Sequence, residues 1–216
     1  MLVVAALAAG AVALATSRAS LSSDPTALAK IDLPLGGGRI EDVSATTGRD
    51  SHALPVALKG HQIWPSRLIH TGQHVTIYVT VKRPGSVGWL GGGTERLTLR
   101  LTTPSAKPTR QYVTLAGRAP LKIRFNAPVA VVASGAQGHL QRRVLPTPQS
   151  ELTLDRTASA GSVWVSGAPR SWEIATPTLV SWFPAGAKAS AVAYPPPGSR
   201  IGPSTPITLA SVTPVT

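Results

Sequence analysis

The sequence predicts an all-β protein of antiparallel sandwich type, preceded by an N-terminal apolar helix and a polar linker. Two stretches alternate cleanly between apolar and polar residues: "HVTIYVTV" (His74 to Val81) and "RLTLRLTT" (Arg96 to Thr103). In each, one set of side chains points to a core and the other to solvent, as in a half-buried strand. The twenty Gly and twenty Pro of this 216-residue chain lie between apolar runs and not in tracts, which is the punctuation of many short strands joined by turns. Nothing after residue 20 has the 3.6-residue period of an amphipathic helix, so βαβ alternation is not expected.

In chain order, the uncharged apolar run Leu2 to Ala15 is followed by Arg18. It is shorter than the roughly 20 residues that cross a bilayer, but it suits the apolar region of an export signal, and "ALA" at 13 to 15 offers a cleavage site. A basic region before it is missing, so residues 1–20 read as a signal peptide or short membrane anchor. Residues 21–53, with "SSDPT", "LPLGGGR" and "TTGRDS", show no sustained period and read as a polar linker. A first β-module is expected over 54–117, with strands at Leu54 to Lys59, His74 to Val81, Arg96 to Thr103 and Gln111 to Leu115. A second, over 118–194, has strands at Leu121 to Phe125, Val129 to Ala133, Glu151 to Asp155, Val163 to Ser166 and Leu179 to Phe183. The stretch "PLKIRFNAPV" (Pro120 to Val129) returns in degenerate form as "PITLASVTPV" (Pro206 to Val215), so 195–216 reads as a Pro-rich linker and the start of a further module.

Several chemistries are excluded by residue type. The absence of cysteine removes disulfides, thiolate metal sites and Cys nucleophiles. No G-x-S-x-G elbow or Walker loop occurs, and no cofactor motif is present; "GWLGGGT" (Gly88 to Thr94) lacks the Lys-Ser/Thr ending and reads as a loop. His70 and His74 have i, i+4 spacing, but Gly72 between them argues for a turn, and no third metal ligand is evident. Only nine carboxylates are present, all explicable as surface or turn residues. Trp164, Trp172 and Trp182 are expected to fill a sandwich core.

What stands out is charge. Fifteen Arg and six Lys against nine acids give a net charge of +12. Arg96 and Arg100 share the outward face of one strand, and Lys122 and Arg124 that of another, so a sheet face is expected to present a cationic patch. Trp89, in a Pro/Gly-rich connection near Arg83, is a candidate for stacking on sugar or lipid headgroups. The candidate ligand-binding residues are therefore Arg83, Trp89, Arg96, Arg100, Lys122 and Arg124. An excess of this size attracts polyanions. For an exported protein these are anionic cell-wall polymers, peptidoglycan carboxylates and acidic lipids. Nucleic acid is not expected, because no basic-aromatic platform is visible.

The chain also resembles a known group. Phe125, Pro128 and Val129 at the opening of the second module and Trp182, Phe183, Pro184 and Gly186 ("SWFPAG") at its close are similar to the immunoglobulin-like N-terminal modules of exported bacterial L,D-transpeptidases; "VTVKRPGSVGWLGG" is similar to the segment that precedes them. The resemblance implies immunoglobulin-like sandwich modules facing the cell wall. It does not carry over the transpeptidase activity, which needs a Cys in a "SHGCVR"-like motif that this chain lacks. The expectation is a non-catalytic, exported wall-proximal protein; the alternative is the N-terminal part of an L,D-transpeptidase involved in peptidoglycan cross-linking.

Overall fold

The computed structural model describes residues 18–33, 37–83, 93–186, 191–196 and 199–211. Of the expected N-terminal apolar segment, residues 1–20, positions 1–17 lie outside that set, as does Trp89, while Ser20 already begins a strand. Among the described residues the chain is all-β, with no helix and several sheets, an arrangement consistent with a β-sandwich. It divides into two compact units, Met1–Thr103 and Pro104–Thr216. The boundary therefore falls at residues 103/104, ahead of the expected division after residue 117.

The first unit holds two four-stranded sheets. One runs β1 (Ser20–Ser23), β2 (Ala29–Asp32), β6 (Gln62–Pro65), β5 (Val56–Lys59); the other runs β4 (His52–Ala53), β3 (Arg39–Thr47), β8 (His74–Lys82), β9 (Thr94–Thr102). β7 (Ile69–His70) precedes the turn into β8. β8 follows the expected alternation: Val75, Ile77, Val79 and Val81 are buried while His74, Tyr78 and Lys82 are exposed. Each such side chain, fully buried, contributes about 1.5–3 kcal/mol.

The expected polar linker is instead structured, since residues 21–53 contain β2, β3, β4 and most of β1. Its polar look is misleading for two reasons. In β3 a bulge between Ile40 and Asp42 resets the alternation, and the inward positions after it are Val43, Ala45 and Thr47, of which only one is strongly apolar. In "SSDPT", the buried Asp24 accepts hydrogen bonds from the Thr26 and Ala27 N–H groups (both 2.7 Å), from the Thr26 hydroxyl and from the Gln62 amide. The turn is thus pinned by its own carboxylate. Those bonds, that from the Ala27 N–H above all, hold the Asp24 carboxyl well below the usual range.

The second unit is built on one five-stranded sheet, ordered β10 (Tyr112–Leu115), β15 (Thr178–Pro184), β13 (Gly161–Ala168), β11 (Leu121–Ala136), β12 (His139–Leu154). Leu121, Ile123, Phe125, Val129, Val165 and Val180 form its core, with Trp182 packed against them. Two expected strands, Leu121 to Phe125 and Val129 to Ala133, are one strand with a register shift between Arg124 and Val129. The irregularity accommodates Pro128, which cannot donate to a ladder. β10 pairs in parallel with β15, from Tyr112↔Ser181 to Leu115↔Pro184, where an antiparallel sheet was expected. The two strands are far enough apart in sequence for the long crossover that a parallel pair requires.

β14 (Glu173–Ile174) is a short further strand, and β16 (Ala191–Tyr194) pairs antiparallel with β17 (Thr208–Ser211). Within the repeat, "TLAS" (Thr208–Ser211) thus forms a strand, but one that pairs with β16. Leu121 and Ile123 are buried in the first copy, whereas the matching Ile207 and Leu209 are 61% and 69% exposed.

Candidate cationic faces

The sheet containing β8 and β9 turns its Val and Leu side chains inward, so alternation forces the intervening residues to the outside. Cross-strand register then fixes three rows on the outer face: Asp42–Thr80–Arg96, Ser44–Tyr78–Thr98 and Thr46–Thr76–Arg100. Arg96, Thr98 and Arg100 are exposed, and the Tyr78 ring between the arginine rows is 45% exposed. Neither arginine has an ion-pair partner among the described residues. Asp42 shares the row of Arg96 but lies two strands away, about 9–10 Å across the sheet, comparable to the screening length in physiological salt. The face therefore combines two available guanidinium groups, an aromatic ring and rows of hydroxyls.

Lys122 and Arg124 also share an exposed face, as the alternation of β11 requires. Here, however, register places Glu151 of β12 directly opposite Arg124. Arg124 Nε donates to Glu151 Oε2 at 3.0 Å, and Lys122 Nζ is 3.5 Å from Oε1. The hydrogen bond from Arg124, with the charge of Lys122, holds the Glu151 carboxyl below its ordinary value. One carboxylate thus engages both cations. Beside them Thr109 donates its N–H and hydroxyl to the Arg124 carbonyl (2.8 and 3.1 Å), bringing Arg110 to the rim of a groove of about 580 Å³ over Ile123 and Phe125. No sequence signal marks Arg110: it sits in "KPTRQ", a Pro-containing connection with no period to signal that its neighbours meet β11.

Arg83 requires a correction. Its side chain is 8% exposed, with Nη2 3.5 Å from Glu95 Oε2, which also accepts the Ala19 N–H at 3.2 Å. A guanidinium buried in this way ties β9 to the start of β1 and is not presented to a ligand. The sequence showed a basic residue beside a Gly-rich connection, but not that Glu95, the inward-leaning second residue of β9, would meet it.

The remaining candidates take structural roles. His70 and His74 flank a turn at Gly72 (φ +75°), and His74 Nδ1 lies 2.9 Å from the Thr102 hydroxyl. Among the described residues no three His, Cys, Asp or Glu side chains cluster to hold a metal ion. Trp172 is buried and Trp182 partly so, while Trp164 meets Tyr194 edge-to-face at 5.9 Å. No known protein-family model matches the chain, and no curated protein matches it either.

Proposed function

We propose that the chain is a non-catalytic, exported protein of the bacterial cell envelope, built of immunoglobulin-like β-sandwich modules and acting as a wall-proximal spacer and binding unit for anionic envelope polymers. The observation that carries this reading is the pair Arg96 and Arg100, exposed on one sheet face with no ion-pairing carboxylate among the described residues. Exposed charges in excess draw a polyanion by long-range attraction, and guanidinium groups then grip it through paired N–H donors. The net charge of +12 supports the same reading, and the apolar run Leu2 to Ala15 supports export. Lys122 and Arg124 contribute less, because Glu151 already engages both.

The test is co-sedimentation of the full chain with purified bacterial cell wall. Retention at low salt that falls steeply as salt rises, and that drops in the variant Arg96→Ala/Arg100→Ala, supports the reading. Retention indifferent to salt and to the substitutions sinks it.

A second reading, the N-terminal part of an L,D-transpeptidase, is favoured by the placement of the residues that carry the resemblance. Phe125, Val129 and Phe183 are core residues of the second unit, where a module's defining positions should lie. Sequencing the coding DNA downstream for a Cys-containing "SHGC"-like motif separates the two readings.

A further inference from the structure

Building on the reading of the first unit's outer sheet face as an anion-binding surface, we infer that its ligand is a polyol phosphate: a linear phosphodiester polymer of a three-carbon polyol, lying along β9. The polymer and the strand have matched repeats. Side chains on one face of a strand recur every second residue, about 6.8 Å apart. Two residues of extended chain are six backbone bonds. A phosphodiester of a three-carbon polyol also has six bonds between successive phosphorus atoms: P–O, O–C, C–C, C–C, C–O and O–P. Extended beside β9, such a polymer brings its phosphates past the strand at about the interval at which β9 presents outward side chains.

Those side chains are Arg96, Thr98 and Arg100, all exposed. Three successive phosphates therefore meet a guanidinium fork, a hydroxyl donor and a second guanidinium fork. Guanidinium matches phosphate through two parallel N–H donors, a fit that an ammonium group lacks. Opposite Thr98 stands Tyr78, half-exposed, flanked along β8 by Thr76 and Thr80. An aromatic edge among hydroxyls suits the carbon chain and free hydroxyls of a polyol. Single-stranded nucleic acid has the same six-bond repeat, but its bases require successive stacking aromatics. Among the described residues this face offers one ring.

The experiment measures binding of the full chain to four polymers at matched anion concentration and ionic strength: poly(glycerol phosphate), hyaluronan, inorganic polyphosphate and oligothymidylate. Poly(glycerol phosphate) is expected to bind at least about tenfold more tightly than hyaluronan, which spaces carboxylates one per disaccharide, and than polyphosphate, whose repeat is two bonds. Arg96→Ala and Arg100→Ala should each weaken it by about tenfold, the usual weight of a charged hydrogen-bonding partner. Arg96→Lys should restore part of the loss, and Thr98→Val should weaken poly(glycerol phosphate) without affecting hyaluronan. A control, Arg118→Ala/Arg143→Ala, removes equal charge from exposed positions elsewhere and should bind like the parent. Equal affinity for hyaluronan and poly(glycerol phosphate), both lost in the Arg96 and Arg100 variants, overturns the ligand class while leaving anion binding by this face intact. Tighter binding of oligothymidylate overturns it in favour of nucleic acid. Variants at Arg96 and Arg100 that bind all four polymers like the parent overturn both the ligand class and the assignment of the face.

Discussion

Arg83 and Arg96 carry the same charge and flank the same Gly-rich connection, yet their surroundings give them opposite roles. Arg83 is buried against Glu95; Arg96 stands in solvent on the next strand. Removing one member of a buried pair leaves the other uncompensated, at about 3 kcal/mol. Arg83→Ala is therefore expected to lower the urea midpoint sharply, with retention by cell wall unchanged in conditions where it remains folded. Loss of retention without loss of stability would return Arg83 to the binding surface.

Glu173 supplies a pH signature. It is fully buried, its Oε2 accepts the Arg170 N–H at 3.0 Å, and Oε1 has no hydrogen bond among the described residues. Burial pushes its carboxyl up from the usual 4.5 to about 7, against the smaller opposing pull of Arg170. The folded state then holds this proton where the unfolded chain has released it, so stability falls as pH rises from about 4.5 to 7. Asp24 and Glu151 are shifted downward, so their losses come at more acid pH and leave this window clear. Glu173→Gln should flatten the melting-temperature profile across the window, as differential scanning calorimetry would show. An unchanged profile would mean the carboxyl is ionised in the fold throughout.

At the scale of elements, the strands with uninterrupted period-2 patterns, β8 and β9, were legible residue by residue, down to which side chains of β9 face outward. Those with a bulge or a polar inward face were not. β3 hides its pairing because the bulge at Glu41 shifts the alternation and Ala45 and Thr47 serve as inward residues. The first three quarters of β12, "HLQRRVLPTPQS", form an exposed edge strand with prolines at its register shift, so no buried face marks it. The parallel partnership of β10 and β15 joins positions distant in sequence, which a local pattern cannot carry. The same limit explains the site. The outward pair Arg96 and Arg100 follows from one strand's period, whereas the partnership of Arg124 with Glu151 follows from register between two.

Close approach between elements makes a sharper prediction. Gly167 lies where β13 crosses the core, and a Cβ there would stand 2.6 Å from Phe125 Cε1 and 2.7 Å from Val129 Cγ1. Gly167→Ala should cost about 1–3 kcal/mol by overpacking. Adding Val129→Ala should recover part of that loss, because the two changes share one contact. Strict additivity in urea denaturation would show that the core relaxes elsewhere.

At the scale of the whole molecule, the excess of twelve positive charges is spread over two units that use their cations differently. In the second, Glu151 bridges Lys122 and Arg124, and Arg156 is drawn into the fold by donating to the Ala119, Ala158 and Gly117 carbonyls. In the first, Arg96 and Arg100 remain exposed on a hydroxyl-lined face, with no ion pair among the described residues. Charge count alone did not separate these cases; carboxylate placement does. The most direct measurement is the slope of log binding constant against log salt concentration for poly(glycerol phosphate), with the parent chain and with Arg96→Ala/Arg100→Ala. Each phosphate contact on a single-stranded polyanion contributes about 0.7 to the slope, so losing two should flatten it by about 1.4. Parallel lines for the two proteins would contradict the claim that this face holds the polymer.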